Sequence, residues 1–242
     1  MEDFRVCKTP LIPFDINTMT TLKTLNELSM RKVYKNIFGE VISKAKAEKL
    51  DDYHLYYYEK DSDVLKEIEF LSEDEIYSIN YYMSDDENEQ QIINYLKEKS
   101  DLFDIERRES AGNFIIATNK MYSLAVDEKP LISKTVFYED DPENFICSQI
   151  LDNETLKPVP ERTTKCWYDL DENGEKYAAI EFSYQEDGKL ELAIDKTPNP
   201  DNDMEWEHYE YASFKDLQNR IDADISYYKT AALLPKTAEK EY

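Results

Sequence analysis

The sequence predicts an α+β fold: a mainly antiparallel sheet over about residues 113–195, with helices at the N-terminus, in the middle and at the C-terminus. Three observations lead to this prediction. Apolar residues recur at helical spacing in residues 18–45 and again in residues 214–228. A capping box in residues 84–87 marks the start of a middle helix. Alternating runs separated by Asn-Gly and Asp-Gly turns are typical of antiparallel strands.

The N-terminal helix prediction rests on apolar residues that follow one another at intervals of three to five positions. These are Leu22, Leu25, Leu28, Val33, Ile37, Val41 and Ala45. The pattern favours one long or two shorter amphipathic helices, and Gly39 is a candidate break between them. Lysines and arginines make this the only basic part of the chain. We expect it to lie against the acidic remainder; contact with a phosphate or with RNA is the alternative.

The next fifty residues combine acids with tyrosines. Residues 51–100 hold fifteen Asp or Glu, four lysines and eight tyrosines. Residues 54–58 predict a strand because of their aromatic content, whereas residues 64–71 fit either a helix or a strand. The capping box pairs Ser84 with Glu87, and we expect the helix that follows to end near residue 100. That helix would bury Ile92, Ile93 and Leu96.

Strand signals dominate after residue 110. Apolar or alternating runs occupy residues 113–118, 121–126 and 131–138. Residues 164–194 give the clearest signal, a three-stranded meander with turns at Asn173-Gly174 and Asp187-Gly188. Ser213 then caps a last helix, with an apolar stripe formed by Phe214, Leu217, Ile221, Ile225 and Tyr228.

These elements suggest two parts. Residues 1–110 form a helix-rich N-terminal part that contains the acidic, tyrosine-rich stretch. Residues 111–242 contain the sheet and the C-terminal helix. A single domain is the alternative, since 242 residues suit either arrangement.

The chain carries a net charge of −24, and this charge is unevenly spread. Residues 1–50 hold nine Lys or Arg and six Asp or Glu, so the balance there is +3 and the rest of the chain carries −27. Such a field repels phosphate backbones and anionic lipids and attracts basic partners. The chain shows no signal peptide, no apolar run long enough to span a bilayer and no even set of cysteines, so we expect a cytoplasmic protein with reduced thiols.

No motif assigns an enzymatic activity. Four glycines and two histidines leave no phosphate-binding loop and no His-based triad. Residues 169–174 match the first half of a calcium loop, but Ile180 stands at the twelfth position, where the bidentate Glu belongs. We therefore predict a hairpin turn there. Asp201, Asp203 and Glu205 are candidate Mg²⁺ ligands, but an acidic chain produces such triplets by chance. We assign no catalytic, cofactor or metal site.

Acids interleaved with aromatic residues are the remaining signal. Tyrosine and tryptophan are common interface anchors, and acids around them select basic partners. In composition the chain is similar to phage-borne inhibitors of bacterial defence systems. We predict an acidic inhibitor or nucleic-acid mimic, of the anti-CRISPR type, that blocks a basic nucleic-acid-binding protein by occlusion. The candidate partner-binding residues are Tyr81, Tyr82, Asp85, Asp86, Glu87, Glu89, Trp206 and Tyr209.

Two other classes stay open. One is a metal-dependent hydrolase or nuclease that uses a carboxylate cluster. The other is an immunity or adaptor protein whose acidity is incidental. The arrangement of side chains in the folded chain, as a carboxylate cluster or as an interaction surface, is needed to distinguish these classes.

Overall fold

Thirteen strands lie side by side in one sheet. The computed structural model describes residues 30–171, 173–196, 209–211, 215, 217–218, 221 and 225–235. The strands are Met30–Lys35 (β1), Val41–Ile42 (β2), Asp52–Glu59 (β3), Leu65–Ser72 (β4), Glu75–Tyr82 (β5), Leu102–Ala111 (β6), Phe114–Ser123 (β7), Asp127–Tyr138 (β8), Asp141–Leu151 (β9), Pro158–Leu170 (β10), Lys176–Tyr184 (β11), Leu190–Asp195 (β12) and Tyr209–Tyr211 (β13). Among the described residues, the helices are Lys44–Ala47 (α1), Glu89–Lys97 (α2) and a 3-10 helix, Ser226–Lys229.

The strands cross the sheet almost in chain order. From β13 at one edge they run down to β3, and β1 and β2 complete the other edge. Neighbouring strands in the described chain are antiparallel except β5 and β6, which run parallel. A parallel pair needs a crossover connection, and α2 lies in that connection.

The α+β prediction is wrong, because one large sheet rather than a set of helices makes up most of the described chain. The sheet begins at Met30 and not near residue 113. Within the described part of the predicted N-terminal helix, residues 30–35 form β1 and only Lys44–Ala47 is helical. Intervals of four residues also place side chains on one face of a strand, since four is a multiple of two. Pairing of β1 with β3 along its whole length decides for the strand.

The predicted C-terminal helix falls largely outside the described residues. Four members of its apolar stripe are described and are buried: Leu217, Ile221, Ile225 and Tyr228. They belong to a core cluster with residues of β11 and β12. The 3-10 helix follows directly.

The middle helix is confirmed, although it begins later than predicted. α2 buries the three apolar residues that the sequence indicated. Its N-cap is Asn88, whose side chain accepts a backbone N–H at 3.1 Å. The predicted capping box is half formed: a carboxylate oxygen of Glu87 accepts the N–H of Ser84 at 2.6 Å, but the Ser84 hydroxyl accepts a hydrogen bond from Lys66 instead.

Two further strand predictions can be compared with the fold. The meander of residues 164–194 is confirmed, since β10, β11 and β12 pair in sequence and antiparallel. Its turn glycines, Gly174 and Gly188, have φ angles of +80° and +78°, which favour glycine. Residues 64–71, left open between helix and strand, contain most of β4. The suggested division near residue 110 falls at the turn of the β6–β7 hairpin, where the sheet continues without a break.

α2 and the 3-10 helix pack on the same face of the sheet. Directly opposite residues on neighbouring strands share a face, and one such row runs through Tyr57, Glu67, Tyr81 and Ile105. Tyr81 and Ile105 pack in one core cluster with residues of α2, so this row defines what we call the helix face. The buried residues next to the 3-10 helix lie on the same face at the β10–β12 end. Neither described α-helix has the length or apolar character of a membrane-spanning helix.

Candidate functional site: an aromatic cleft with an acidic rim

A cleft rich in aromatic side chains opens where the β8–β9 and β10–β11 hairpins turn. Its volume is about 340 Å³. Five aromatic residues line it: Tyr138, Trp167, Tyr168, Tyr227 and Tyr228. Volumes of this size hold a side chain or a small ligand. We call it the aromatic cleft.

An irregularity in the pairing of β10 with β11 and the 3-10 helix bring these rings together. On β10, Trp167 lies opposite Ile180 and the next residue, Tyr168, lies opposite Ala178, so β11 bulges by one residue. A bulge bends its strand and increases the local twist, and Trp167 and Tyr168 both line the cleft beside it. Tyr227 and its neighbour come from the 3-10 helix and form the opposite wall.

Three of the four tyrosines that line the cleft donate their hydroxyl groups to backbone carbonyls. Tyr168 donates to the carbonyl of Phe145 at 3.0 Å, and Tyr227 donates to that of Leu233 at 2.8 Å. Burial, above all, raises the pKa of both phenols, so they stay neutral at physiological pH. The rings are therefore fixed in place before any ligand arrives.

A buried lysine holds the wall formed by the 3-10 helix. Lys165 is 0% exposed, and its ammonium group donates to the carbonyl oxygens of Tyr227 and Thr230, each at 2.8 Å. The same nitrogen lies 3.4 Å from the centre of the Tyr227 ring. Burial lowers the pKa of Lys165 to about 7. Tyr184 adds a bond from its hydroxyl to the carbonyl of Tyr228 at 3.1 Å.

Acids lie in the two hairpins where the cleft opens. The β8–β9 and β10–β11 hairpins contribute Glu139, Asp140, Asp141, Glu143, Asp171 and Glu175, which we call the acidic rim. Asp141 lines the cleft itself and accepts bonds from Lys176 at 2.6 Å and from Asn144 at 2.9 Å. The bond from Lys176 is the main reason that the pKa of Asp141 lies below its ordinary value. The other five acids are exposed. The site thus joins aromatic rings to a surplus of negative charge.

The residues that match the first half of a calcium loop form part of this rim as the predicted hairpin turn. A carboxylate oxygen of Asp171 accepts the backbone N–H groups of Asn173 and Glu175, both at 2.8 Å. Within the described part of the chain, no group of three or more His, Cys, Asp or Glu side chains is arranged to hold a metal ion. The candidate Mg²⁺ ligands at residues 201–205 lie outside the described residues.

Most of the predicted partner-binding acids have partners inside the protein. Asp85 pairs with Arg107 at 2.8 Å, Glu87 pairs with Lys66 at 2.7 Å, and Glu89 pairs with Lys120 at 2.5 Å. Asp86 is exposed. The predicted acidic cluster therefore presents less free charge than its sequence indicates.

The predicted aromatic anchors are not brought together. Tyr81 is 2% exposed and donates its hydroxyl to Glu87 at 2.6 Å, so it supports the fold and does not reach the surface. Tyr82 is half-buried on the opposite face from Tyr81. Tyr209 lies on edge strand β13, which seven strands separate from β5. Trp206 lies outside the described residues.

The sequence contained a signal for the aromatic cleft that we did not use. Tyr138 is followed by three acids, and Trp167-Tyr168 is followed by Asp169, so the same mixture of acids and aromatic residues occurs there. The turn chemistry there predicts only a strand of the meander and its turn. The juxtaposition of the two stretches arises from strand pairing, which composition does not reveal.

Comparisons with protein families, with curated proteins and with solved structures found no match to this chain.

Proposed function

We propose that the protein binds a basic surface of another protein through the aromatic cleft and its acidic rim, and that it inhibits that partner by occlusion without catalysing a reaction. The observation that carries this proposal is the joining of five aromatic side chains to a rim of six acids at one end of the sheet. The cysteines next to the cleft are not its working groups. Burial raises the pKa of the Cys147 and Cys166 thiols to about 11, which leaves them protonated and unreactive.

An arginine side chain has the chemistry that fits this cleft. A guanidinium group stacks on aromatic rings and at the same time donates hydrogen bonds to carboxylates. Such a contact contributes about 0.5–2 kcal/mol for the ring interaction, depending on how far it is desolvated. The exposed rim acids would act mainly before contact, by steering a basic partner and accelerating its association.

The positions of the hairpins support a partner that binds nucleic acid. The β3–β4, β6–β7, β8–β9 and β10–β11 hairpins all turn at the same end of the strands. Successive turns of the last three lie two strands apart, which is about 10 Å. Exposed acids lie at or beside each of them: Asp61, Glu109, Asp140 and Glu175 are examples. A spaced row of carboxylates along one edge offers a nucleic-acid-binding protein a substitute for a phosphate backbone.

The cleft contains its own reporter. The chain has two tryptophans, so Trp206→Phe leaves Trp167 in the cleft as the single source of tryptophan fluorescence. We expect an arginine-rich peptide to change that fluorescence saturably, with an affinity that falls as salt is raised. A glycine-serine peptide of equal length should have no effect.

Matched charge reversals locate the contact. Asp140→Lys with Glu175→Lys, both in the rim, should weaken peptide binding by about tenfold or more, equivalent to about 1.4 kcal/mol. Glu154→Lys with Glu186→Lys changes the same number of exposed charges at the opposite end of the strands and should have a smaller effect. If both pairs weaken peptide binding equally, the effect is one of net charge and not of the rim. If the fluorescence of Trp167 does not change with peptide, the peptide does not bind at the cleft. Affinity capture from host lysate across a salt series, with the same two pairs, then extends the test to natural partners.

A further inference from the structure

A second concavity lies on the helix face, in the middle of the sheet beside α2. It is an open groove of about 460 Å³, within the range of small-molecule sites. Glu89 of α2 forms part of one wall, and Leu156 of the β9–β10 turn lies on the other side. We call it the helix-face groove. It shares no lining residue with the aromatic cleft.

Two adjacent rows of residues, each crossing neighbouring strands, form the floor of this groove. One row crosses the strands β6 to β9 through Ile105, Lys120, Ile132 and Leu151. The adjacent row crosses the same strands through Arg107, Thr118, Lys134 and Gln149. The first row is mainly apolar and the second is polar with two cations. All of these except Gln149 line the groove.

Cations outnumber acids among the residues that line the groove, although the protein as a whole is strongly acidic. Arg107, Lys120 and Lys134 line it against two acids, Glu89 and Glu109. Lys120 is held by Glu89 at 2.5 Å, and Arg107 by Asp85 from outside the groove at 2.8 Å. No described residue makes an ion pair or a hydrogen bond with the ammonium group of Lys134, which is half-buried. A half-buried cation without a counter-ion attracts an anion from solution.

Apolar contact is available beside that cation. Ile132 lies two residues before Lys134 on the same face of β8, and Leu151 lies directly opposite Ile132 on β9. Leu156 is 60% exposed at the rim. Thr118 lies directly opposite Lys134 on β7. Its small side chain leaves space at the centre of the groove.

We propose that the helix-face groove binds a small amphipathic anion, whose carboxylate, sulfonate or phosphate group lies at Lys134 and whose apolar body lies along Ile132, Leu151 and Leu156. This ligand site is independent of the partner-binding cleft. No bond is made or broken in the ligand.

Anilinonaphthalene sulfonate is a suitable probe, because it joins an aromatic body to one sulfonate and fluoresces when it leaves water. We expect one saturable site per chain. Lys134→Glu should weaken binding by about tenfold or more, and Lys134→Gln, a milder change, by a smaller factor in the same direction. Thr118→Phe should abolish the fluorescence increase by filling the groove. The uncharged N-phenyl-naphthylamine should bind more weakly and should not respond to Lys134→Glu.

Two controls make the result specific. Lys189→Glu removes an exposed cation at the β11–β12 turn and should leave probe binding unchanged, as should the rim variant Asp140→Lys. Thermal denaturation establishes that each variant is folded, and Lys134→Gln carries the test if Lys134→Glu is not. Probe binding that is unsaturable, or that is equal in Lys134→Gln, Thr118→Phe and the unaltered chain, would overturn the proposal. The proposal for the helix-face groove does not depend on whether the peptide binds at the aromatic cleft.

Discussion

The Nζ atom of Lys176 lies 2.6 Å from Oδ2 of Asp141 and joins the β10–β11 hairpin to the β8–β9 hairpin. This ion pair occupies the place where the proposed partner would put its own cation. In the proposed function, Lys176 is therefore an internal competitor of the partner's cation. Because both groups lie near the surface, solvent screens the pair, and a partner cation can replace it at little cost.

Removing the internal cation should strengthen binding of basic ligands. Lys176→Ala leaves the carboxylate of Asp141 in the cleft without its counter-ion and with the bond from Asn144. We expect the arginine-rich peptide to bind this variant several-fold more tightly, as measured by calorimetry. The pKa of Asp141 should return towards its ordinary value, since the bond from Lys176 is the main cause of its depression. Lys189→Ala, which removes a similar exposed lysine at the other end of the sheet, serves as the control. Weaker binding of Lys176→Ala would mean that the pair shapes the site and does not compete for it.

Glu87 should matter for stability and not for partner binding, contrary to its role in the sequence prediction. Its carboxylate accepts bonds from Lys66 at 2.7 Å and from Tyr81 at 2.6 Å, and Lys66 is 4% exposed. Glu87→Ala leaves a buried ammonium without a counter-ion, which typically costs about 3–5 kcal/mol. Urea unfolding measures this loss. The neighbouring variant Asp86→Ala is the matched control and should unfold at nearly the same urea concentration as the unaltered chain, because Asp86 is exposed.

Local features of this fold could be predicted from sequence, and contacts between distant residues could not. The α2 helix and the Gly174 turn depend on residues a few positions apart, so capping and turn chemistry indicate them. The bond between Asp141 and Lys176 joins residues 35 positions apart. Composition contains no information about which hairpins become neighbours.

The error over β1 has the same origin. Its apolar spacing fits a helix, and only the register that places Val33 opposite Tyr56 makes it a strand. The position of Lys66 is a second example. β4 has this one extra residue between the partners of Tyr57 and Tyr58, so a β-bulge lets Lys66 reach Glu87. Strict alternation of side chains between the two faces, which is the rule available from sequence, would place the Lys66 side chain on the face opposite to Glu67.

A buried charge cluster next to α2 predicts a pH-dependent variant. Lys99 bonds Glu67 at 2.5 Å and also pairs with Glu69, and these carboxylates are 3% and 4% exposed. Lys99→Met removes the only cation paired with them among the described residues and should cost about 3–5 kcal/mol near neutral pH.

The sign of the pH effect follows from the carboxylates. Burial, the largest cause, raises the pKa of Glu67. A raised folded-state pKa contributes stability at low pH that is lost as the pH rises through it. Lys99→Met strengthens this effect, so its destabilisation should shrink when urea unfolding is repeated at mildly acidic pH. A loss that is independent of pH would indicate that Lys99 acts through packing alone.

Lys165 gives the last prediction, a rise in stability with pH that one substitution removes. Burial lowers the pKa of its amine from an ordinary 10.5 to about 7 in the folded protein. Above that pH the unfolded chain binds a proton that the folded chain does not, so the free energy of unfolding should increase with pH, by at most about 1.4 kcal/mol per pH unit. The window is about pH 7 to 8.5, because the buried thiols, with pKa values raised to about 11, have the opposite effect once unfolded thiols ionise.

Lys165→Met isolates this contribution. The variant loses the bonds to the carbonyls of Tyr227 and Thr230, so its absolute stability changes in a way that burial of the methionine partly offsets. The slope is the informative quantity. Urea unfolding followed by circular dichroism across the window should show a positive difference in slope between the unaltered chain and Lys165→Met. Identical slopes would mean that Lys165 remains charged in the folded protein, stabilised by the two carbonyls and by the ring of Tyr227, and that the wall of the aromatic cleft is held by a cation at neutral pH.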